Sequence, residues 1–476
     1  MMKYLFVVFI SFLLASLSIT CTSENKSRQP NFIIILTDDQ GYQDVGCFGS
    51  PNIKTPNLDL MAAEGTKFTN FYAQTVCGPS RAALITGCYP MRNARNDDGE
   101  APHPKLSLSE VTIAEVLKPV GYSTCMIGKW DLAGHNQEQF NPELLPYNQG
   151  FDYSFFTPTS NDHYVNLLRN KEVIELNADM STLTRRYTDE AIGFIEKNKE
   201  QPFFLYLAHT MPHTKLAVSQ EFKGKSEGGL YGDVIEEIDY NVGRILSALK
   251  EKGLDENTYV IFTSDNGPWW IKKEHAGHAD PLRGAKTSAW DGGLRVPCII
   301  RAPGKVPAGK TSDQLTATID LLPTLAKIAG AKIPSDRVID GLDISKIWNG
   351  KKSALKRPYF FYQHQDLRGV RLGQWKLHLP HQPDSKSIAY TKWPVHIAPE
   401  DRILFEKPVL YNLENDIAET TDVSAENPKV VAKLLKLLDW AKTDIGDFDK
   451  RGVNARPLGD EPYFTPNELF PEKMKK

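Results

Sequence analysis

The 476-residue chain has no excess of charge of either sign. Its 56 Lys and Arg stand against 59 Asp and Glu, a formal net charge of −3. Without a basic surplus no nucleic-acid partner is expected, and without an acidic block no solvated tail is expected. Cysteine is scarce: Cys21, Cys47, Cys77, Cys88, Cys125 and Cys298 are too few to scaffold so long a chain by disulfides. Spacing alone assigns them no pairing. Internal repeats and long low-complexity segments are absent. Long apolar runs are absent too, with one exception at the start. Residues 4–17, after Lys3, are apolar but too short for a membrane span, and residues 1–20 read as a secretory signal peptide.

Cys21 directly follows Leu17-Ser18-Ile19-Thr20, which loosely resembles a bacterial lipoprotein cleavage box with Thr20 off the pattern. Lipidation of Cys21 and plain signal-peptidase cleavage therefore both stay open, and a lipid at Cys21 is the one expected membrane attachment. Residues 1–29 are leader and polar tether, and the protein is expected to be exported: periplasmic, secreted or a cell-surface lipoprotein.

The rest exceeds a single ordinary core, so at least two structural units are expected. Asn31-Phe32-Ile33-Ile34-Ile35-Leu36 is a continuous apolar run of the kind buried on both faces of a parallel sheet. Residues 123–127, 203–208 and 259–263 read the same way. Thr55-Pro56 opens a helix to about Glu64, with Thr55 as cap. Thr112-Ile113-Ala114-Glu115 is a capping box. Val234, Ile238, Val242, Ile245 and Leu249 mark an amphipathic helix. Such alternation predicts an α/β fold: a mostly parallel or mixed central sheet with helices on both faces, over residues 30–350. After a basic connection at 351–357, short strand patterns near 360–362, 369–372 and 375–377 and a helix near 430–441 predict a smaller α+β subdomain with an antiparallel sheet, residues 351–476.

Sites in such sheets gather at the carboxyl ends of strands. The polar clusters after Leu36, Ile127, Ala208 and Thr263 all fall there. Cys77-Gly78-Pro79-Ser80-Arg81-Ala82-Ala83-Leu84-Ile85-Thr86-Gly87 reads as a helix with Pro79 in its first turn and Gly87 as its stop. Cys77 then lies at a helix N-terminus, which favours an anion, and Arg81 adds a permanent cation one turn on. Asp38-Asp39 and Asp265-Asn266 supply hard oxygen donors suited to Ca²⁺ or Mg²⁺ rather than zinc. Taken singly, each of those pairs is an ordinary turn or cap.

The Cys-x-Pro-Ser-Arg run ending in Thr-Gly resembles the signature of the type I sulfatases, of the alkaline-phosphatase-like superfamily. The resemblance implies that a maturation enzyme, formylglycine-generating or anaerobic sulfatase-maturating, oxidises Cys77 to formylglycine. It further implies Asp38, Asp39, Asp265 and Asn266 as ligands of calcium, with magnesium the lesser alternative and residue 77 completing the site. Gly121-Tyr122-Ser123-Thr124-Cys125-Met126-Ile127-Gly128-Lys129-Trp130 is similar to the second sulfatase signature and implies Lys129 as a contact to nucleophile or sulfate. The family continues with histidine where this chain has Asp131. Asp131 as a base, His135 from four residues on, and an altered, inactive site are the three readings of that departure. Met211-Pro212-His213 implies His213 as the group that protonates the leaving alcohol, a task suited to a near-neutral pKa; His209 is a weaker candidate. Leu282-Arg283-Gly284-Ala285-Lys286 implies Lys286 as a sulfate ligand, and Arg295 is expected to be structural.

The implied reaction is hydrolysis of a sulfate ester. A hydroxyl of hydrated residue 77 attacks sulfur, His213 protonates the alcohol, and Arg81, Lys129, Lys286 and the metal hold the growing charge. Export and the aromatic pair Trp269-Trp270 suit a sulfated poly- or oligosaccharide as partner. Arg92, Arg95, His103, Asn161, His163 and His381 are candidates for a sugar subsite, each also readable as plain surface. A phosphonate or phosphodiester hydrolase of the same superfamily is the alternative reaction, and a catalytically inactive glycan-binding lipoprotein the alternative without chemistry.

Overall fold

The computed structural model describes residues 28–94, 106–134, 140–162, 164–352, 356–381 and 403–457. The leader, Cys21, Arg95, His103, His135 and His163 lie outside these described residues. No helix among them is long and apolar enough to cross a membrane.

Ten strands make one mixed sheet. From edge to edge they are Lys310–Ser312, Thr66–Phe68, Cys298–Arg301, Thr258–Ser264, Asn31–Thr37, Phe203–Ala208, Ser123–Lys129, Tyr153–Thr157, Leu167–Arg169 and Glu172–Glu175. The middle five, from Thr258–Ser264 to Tyr153–Thr157, run parallel. Antiparallel pairing begins on either side, at Cys298–Arg301 and Leu167–Arg169. The apolar runs at 31–36, 123–127, 203–208 and 259–263 are thus four of the five central strands.

Both faces of the sheet are covered, which is why those runs are apolar without alternation. On strand Asn31–Thr37, Phe32, Ile34 and Leu36 enter one core with Leu84, Ile113, Leu117 and Leu325. These partners come from helices Cys77–Thr86, Ile113–Leu117 and Leu321–Ala329. Ile33 and Ile35 enter the opposite core with Tyr187, Val234, Ile238 and Val242, from helices Leu183–Lys197 and Gly229–Glu251. At about 1.5–3 kcal/mol for each fully buried aliphatic side chain, this one strand anchors both layers.

Local signals were realised unevenly. Thr112 and Glu115 form the capping box, Thr112 Oγ1 accepting from Glu115 N (3.2 Å) and Glu115 Oε2 from Thr112 N (2.8 Å). Thr55 holds the expected cap position before Pro56, but its side chain makes no hydrogen bond to the helix amides. Its hydroxyl accepts from Gly46 N (2.8 Å) and donates to Asp59 Oδ1 (3.2 Å), because the turn at 46–48 is folded against it.

A second, four-stranded antiparallel sheet follows, Pro358–Gln363, Asp366–Leu372, Trp375–His378 and Val409–Asn412 in chain order, packed against helix Pro428–Asp444. One apolar cluster crosses to the first unit, joining Tyr72, Ala83 and Tyr89 to Tyr359, Phe361 and Leu438. Beside it lies a buried ionic knot. Lys376 Nζ sits 2.8 Å from Asp291 Oδ1 and 2.9 Å from Glu419 Oε2, with all three side chains fully buried. Glu419 Oε1 also accepts from Asp291 N (2.7 Å), and His378 Nε2 lies 3.0 Å from Oε2. Burial opposes ionisation of Asp291, but Lys376, Arg295 and Arg371 outweigh it and hold its carboxyl below the usual range. Glu419 is pushed up to about 7, first by burial, with the Asp291 charge adding to it against Lys376.

Candidate active site

Parallel register brings the carboxyl ends of the central strands level. Leu36 lies opposite Ala208 and Thr263, and Thr37 opposite Ser264. The residues that follow, Asp38-Asp39 and Asp265-Asn266, therefore meet side by side, with Lys129 at the end of its own strand next but one. Helix Cys77–Thr86 begins at Cys77, its cap residue Val76 extended and Gly87 ending it in the left-handed region (φ 70°). Its N-terminus points into the same cluster.

The contacts are close and buried. Cys77 Sγ lies 3.3 Å from Asp38 Oδ1, 3.8 Å from Asp39 Oδ1 and 3.2 Å from Lys286 Nζ. Lys129 Nζ donates to Asp38 Oδ2 (2.8 Å) and Lys286 Nζ to Asp39 Oδ1 (2.5 Å). Arg81 donates through one nitrogen to Asp265 Oδ2 and through another to the Lys129 carbonyl, both at 2.8 Å. Three cations thus interleave with three carboxylates. Burial works against ionising Asp38, yet Lys129, His213, Arg81 and Lys286 together hold its carboxyl far below the usual range. Asp265 goes the other way, pushed up to about 7 by burial and by Asp38. Burial and the Asp38 charge push the Cys77 thiol well up.

The donor set fits a hard divalent cation. One ligand atom each from Asp38, Asp39, Cys77 and Asp265 lies within 4.8 Å of the others. Asp39 Oδ2 and Asn266 Oδ1 are buried with no hydrogen-bond partner, two oxygens left for an ion. The ligand loop is braced from behind at Gly267. A Cβ there would come within 1.8 Å of the Gly292 carbonyl oxygen, so only glycine fits, and Gly267 N donates to Gly293 O (3.0 Å).

His213 flanks the cluster, its Nε2 3.8 Å from both Asp39 Oδ2 and Asp162 Oδ1. Burial, only partly offset by Asp39 and Asp38, lowers its pKa. Asp131 is brought in as well. It is buried in a left-handed conformation (φ 57°), with Oδ2 3.5 Å from Lys129 Nζ. His209 stands apart: its ring lies 6.4 Å from that of Tyr187, and burial lowers its pKa to about 4.

The subsite candidates divide. Arg92 is buried in ion pairs with Asp340 (2.8 Å) and Asp444 (2.5 Å), which corrects its reading as a sugar contact: its charge is spent inside the fold. Asn161 Nδ2 donates to the His213 carbonyl (3.2 Å) and so holds that histidine's backbone. His381 lies beyond the strand Trp375–His378, in an isolated antiparallel bridge to Phe405, its ring 5.0 Å from that phenyl ring. Trp269 and Trp270 are half-buried rather than exposed, and the Trp269 ring packs 5.2 Å from that of His213. Arg295 is structural, bonding the Thr69 carbonyl (2.5 Å) and Asp291 (3.4 Å). Asp162 escaped sequence reading, although its place after the strand Tyr153–Thr157 follows the same carboxyl-end rule.

Comparison with known proteins now decides the family. Residues 30–331 match the model of the sulfatase family, and residues 355–455 that of the C-terminal region of aryl-sulfatase. The chain belongs to the sulfatase family. This sulfatase is 38% identical to dog N-acetylgalactosamine-6-sulfatase over 74% of its length and 72% of that protein. It is 34% identical to human arylsulfatase A, covering 92% of both chains. Among solved structures, one reported with the metabolism of multiple glycosaminoglycans by Bacteroides thetaiotaomicron superposes with a TM-score of 0.77 at 28% identity, covering 87% of this sulfatase and all of that chain. The PsFucS1 sulfatase from Pseudoalteromonas gives 0.76 at 26% identity over 87% and 89% of the two chains. A phosphonate monoester hydrolase of Agrobacterium radiobacter shares the fold at 0.61 and 20% identity, over 86% and 95%.

Proposed function

We propose that this sulfatase cleaves a sulfate ester on an exported sulfated poly- or oligosaccharide. Residue 77 is converted to formylglycine by a maturation enzyme, and one calcium ion is held by Asp38, Asp39, residue 77, Asp265 and Asn266. The placement of Cys77 carries this reading: it opens a helix, is buried, and touches both the carboxylate cluster and Lys286. Left as a thiol it is a poor nucleophile, because burial keeps its proton on sulfur. As formylglycine the residue would supply an aldehyde hydrate, an oxygen nucleophile toward sulfur. A divalent cation held by the oxygen donors would grip the sulfate and polarise its S–O bonds. Calcium suits so many protein ligands better than magnesium, which keeps more of its waters.

The chain's own groups divide the remaining work. Lys129 and Lys286 present fixed positive charge where sulfate charge grows. Arg81 locks Asp265 and the Lys129 carbonyl and thereby sets the positions of ligand and cation. His213 delivers a proton from its ring to the leaving oxygen. Asp131, paired with Lys129, is the carboxylate that stands where relatives of the family carry histidine, and it is the candidate base. The names of the N-acetylgalactosamine-6-sulfatase relatives and the glycosaminoglycan setting of the Bacteroides structure support a sulfated sugar. The leader reading supports export, with or without a lipid on Cys21.

Peptide mass spectrometry of protein co-expressed with a formylglycine-generating enzyme tests the scheme. A loss of roughly 18 Da on the Cys77 peptide is expected, with sulfate release that EDTA abolishes and calcium restores. An unmodified thiol under those conditions, or full turnover by Cys77→Ser, defeats the proposal. Faster turnover of matched phosphonate esters than of sulfates would move the chain to the alternative reaction.

A further inference from the structure

We infer that Lys272 forms a second anion subsite at the mouth of the catalytic centre, so that this enzyme favours sugars carrying another negative group beside the sulfate it removes. The inference rests on the proposed reading of the Cys77 site and adds the charge class of the substrate.

Trp269 is the link. Its indole packs against the His213 ring at 5.2 Å, tilted by 31°. Lys286 Nζ lies 4.6 Å from the indole centroid and Lys272 Nζ 4.1 Å from it. One side chain therefore carries two ammonium groups and the catalytic imidazole. The two lysines differ in what else they touch. Lys286 is tied down by Asp39 and Cys77 in the buried cluster. Lys272 is half-buried, and among the described residues its partner is the Trp269 ring. Lys54 and Lys199, by contrast, are paired with Glu227 (3.0 Å) and Glu196 (2.8 Å). A cation resting on an indole is held in place without losing its charge. Lys272 thus offers a positioned, uncompensated cation.

The reaction geometry sends the substrate toward it. His213 protonates the leaving oxygen, so the sugar must lie on the His213 side, near Trp269 and Asp162, the two residues that flank that ring. Asp162 Oδ1, 3.8 Å from His213 Nε2, accepts from sugar hydroxyls and repels an anion. A second negative group is consequently steered to the Trp269 and Lys272 side. A second sulfate and a uronate carboxylate both supply that chemistry, on the same sugar or its neighbour.

The test uses matured, calcium-loaded enzyme turning over 4-nitrophenyl sulfate. Three competitive inhibitors are compared: glucosamine 6-sulfate, glucosamine 2-N,6-O-disulfate, and a 6-sulfated chondroitin disaccharide bearing a uronate. The wild type is expected to bind one or both dianionic sugars about fivefold more tightly than the monosulfate, the size of a favourable rim ion pair. Lys272→Gln should erase that margin while its kcat/KM for 4-nitrophenyl sulfate stays within about twofold, and salt at roughly 0.5 M should shrink the wild-type margin. Which dianion keeps the advantage identifies the second group. Equal binding of all three by the wild type, or a margin that survives Lys272→Gln, overturns the inference and leaves the catalytic reading standing. Failure of the matured wild type to hydrolyse 4-nitrophenyl sulfate instead removes the catalytic reading, and the subsite falls with it.

Discussion

Replacing Lys376 by Met tests the buried knot between the two sheets. Met keeps the length and apolar stem of the side chain and deletes only the ammonium group. Lys376 Nζ is the shared partner of Asp291 and Glu419, at 2.8 and 2.9 Å, and nothing of the three is exposed. Arg295 remains 3.4 Å from Asp291, so the penalty falls chiefly on Glu419. Removing one partner of a buried pair costs about 3–5 kcal/mol, a large share of a total stability of about 5–15 kcal/mol. The loss has a pH signature. Glu419 already has its pKa raised to about 7, by burial first and then Asp291, and losing Lys376 raises it further. A carboxyl whose folded pKa exceeds its unfolded value of about 4.3 contributes stability that is complete below that value and lost as pH rises through the folded pKa. The variant is therefore penalised more heavily at about pH 8, above the wild-type Glu419 pKa, than at about pH 5.5, where Glu419 enters the core protonated in both proteins. Urea unfolding followed by tryptophan fluorescence at both pH values measures this, and Lys376→Met with Glu419→Gln should recover most of the loss at the higher one. A loss under about 1 kcal/mol at the higher pH, the range of an exposed pair, would refute the reasoning, as would an equal loss at both.

Two further outcomes are expected. His213→Ala should lower kcat for sugar sulfates by about 10²–10⁴ but far less for 4-nitrophenyl sulfate, whose leaving group departs without a proton; equal losses on both would deny His213 the role of acid. Arg92→Gln should cost about 3–5 kcal/mol of stability by stranding Asp340 and Asp444 and leave KM for any sulfated sugar unchanged, whereas a KM rise without destabilisation would return Arg92 to the substrate site.

The central strands were legible because burial on both faces leaves unbroken apolar runs, and 31–36 and 203–208 needed nothing else. The cluster at the strand ends was legible because each member follows such a run. Thr55 was legible as a cap position because that signal is local, but the partner of its hydroxyl was not, since the turn at 46–48 folds back from earlier in the chain to claim it. Arg92 misled because its partners Asp340 and Asp444 lie 248 and 352 residues away, beyond any spacing rule. The short strands Thr66–Phe68 and Leu167–Arg169 left no pattern, since three residues are too few to show one and pairing to neighbours on both sides defines them. Lys376 stood in plain view in Trp375-Lys376-Leu377, but a lysine in a strand reads as an outward-facing residue until the opposing carboxylates are known.

The knot also fixes an order of events. Asp291 belongs to the turn at 283–293, closed by Gly292 N on Arg283 O (2.7 Å), which presents Lys286 and braces the metal-ligand loop through Gly267. The partners of Asp291 are made late: Lys376 follows it by 85 residues and Glu419 by 128. A nascent chain that ends before Lys376 already contains the proposed nucleophile, all the proposed metal ligands and every proposed catalytic cation. It still lacks the groups that let Asp291 be buried, so the turn has no settled seat. Trimming this protein to its catalytic sheet would reproduce that unfinished state, and catalysis is among the last properties the growing chain acquires.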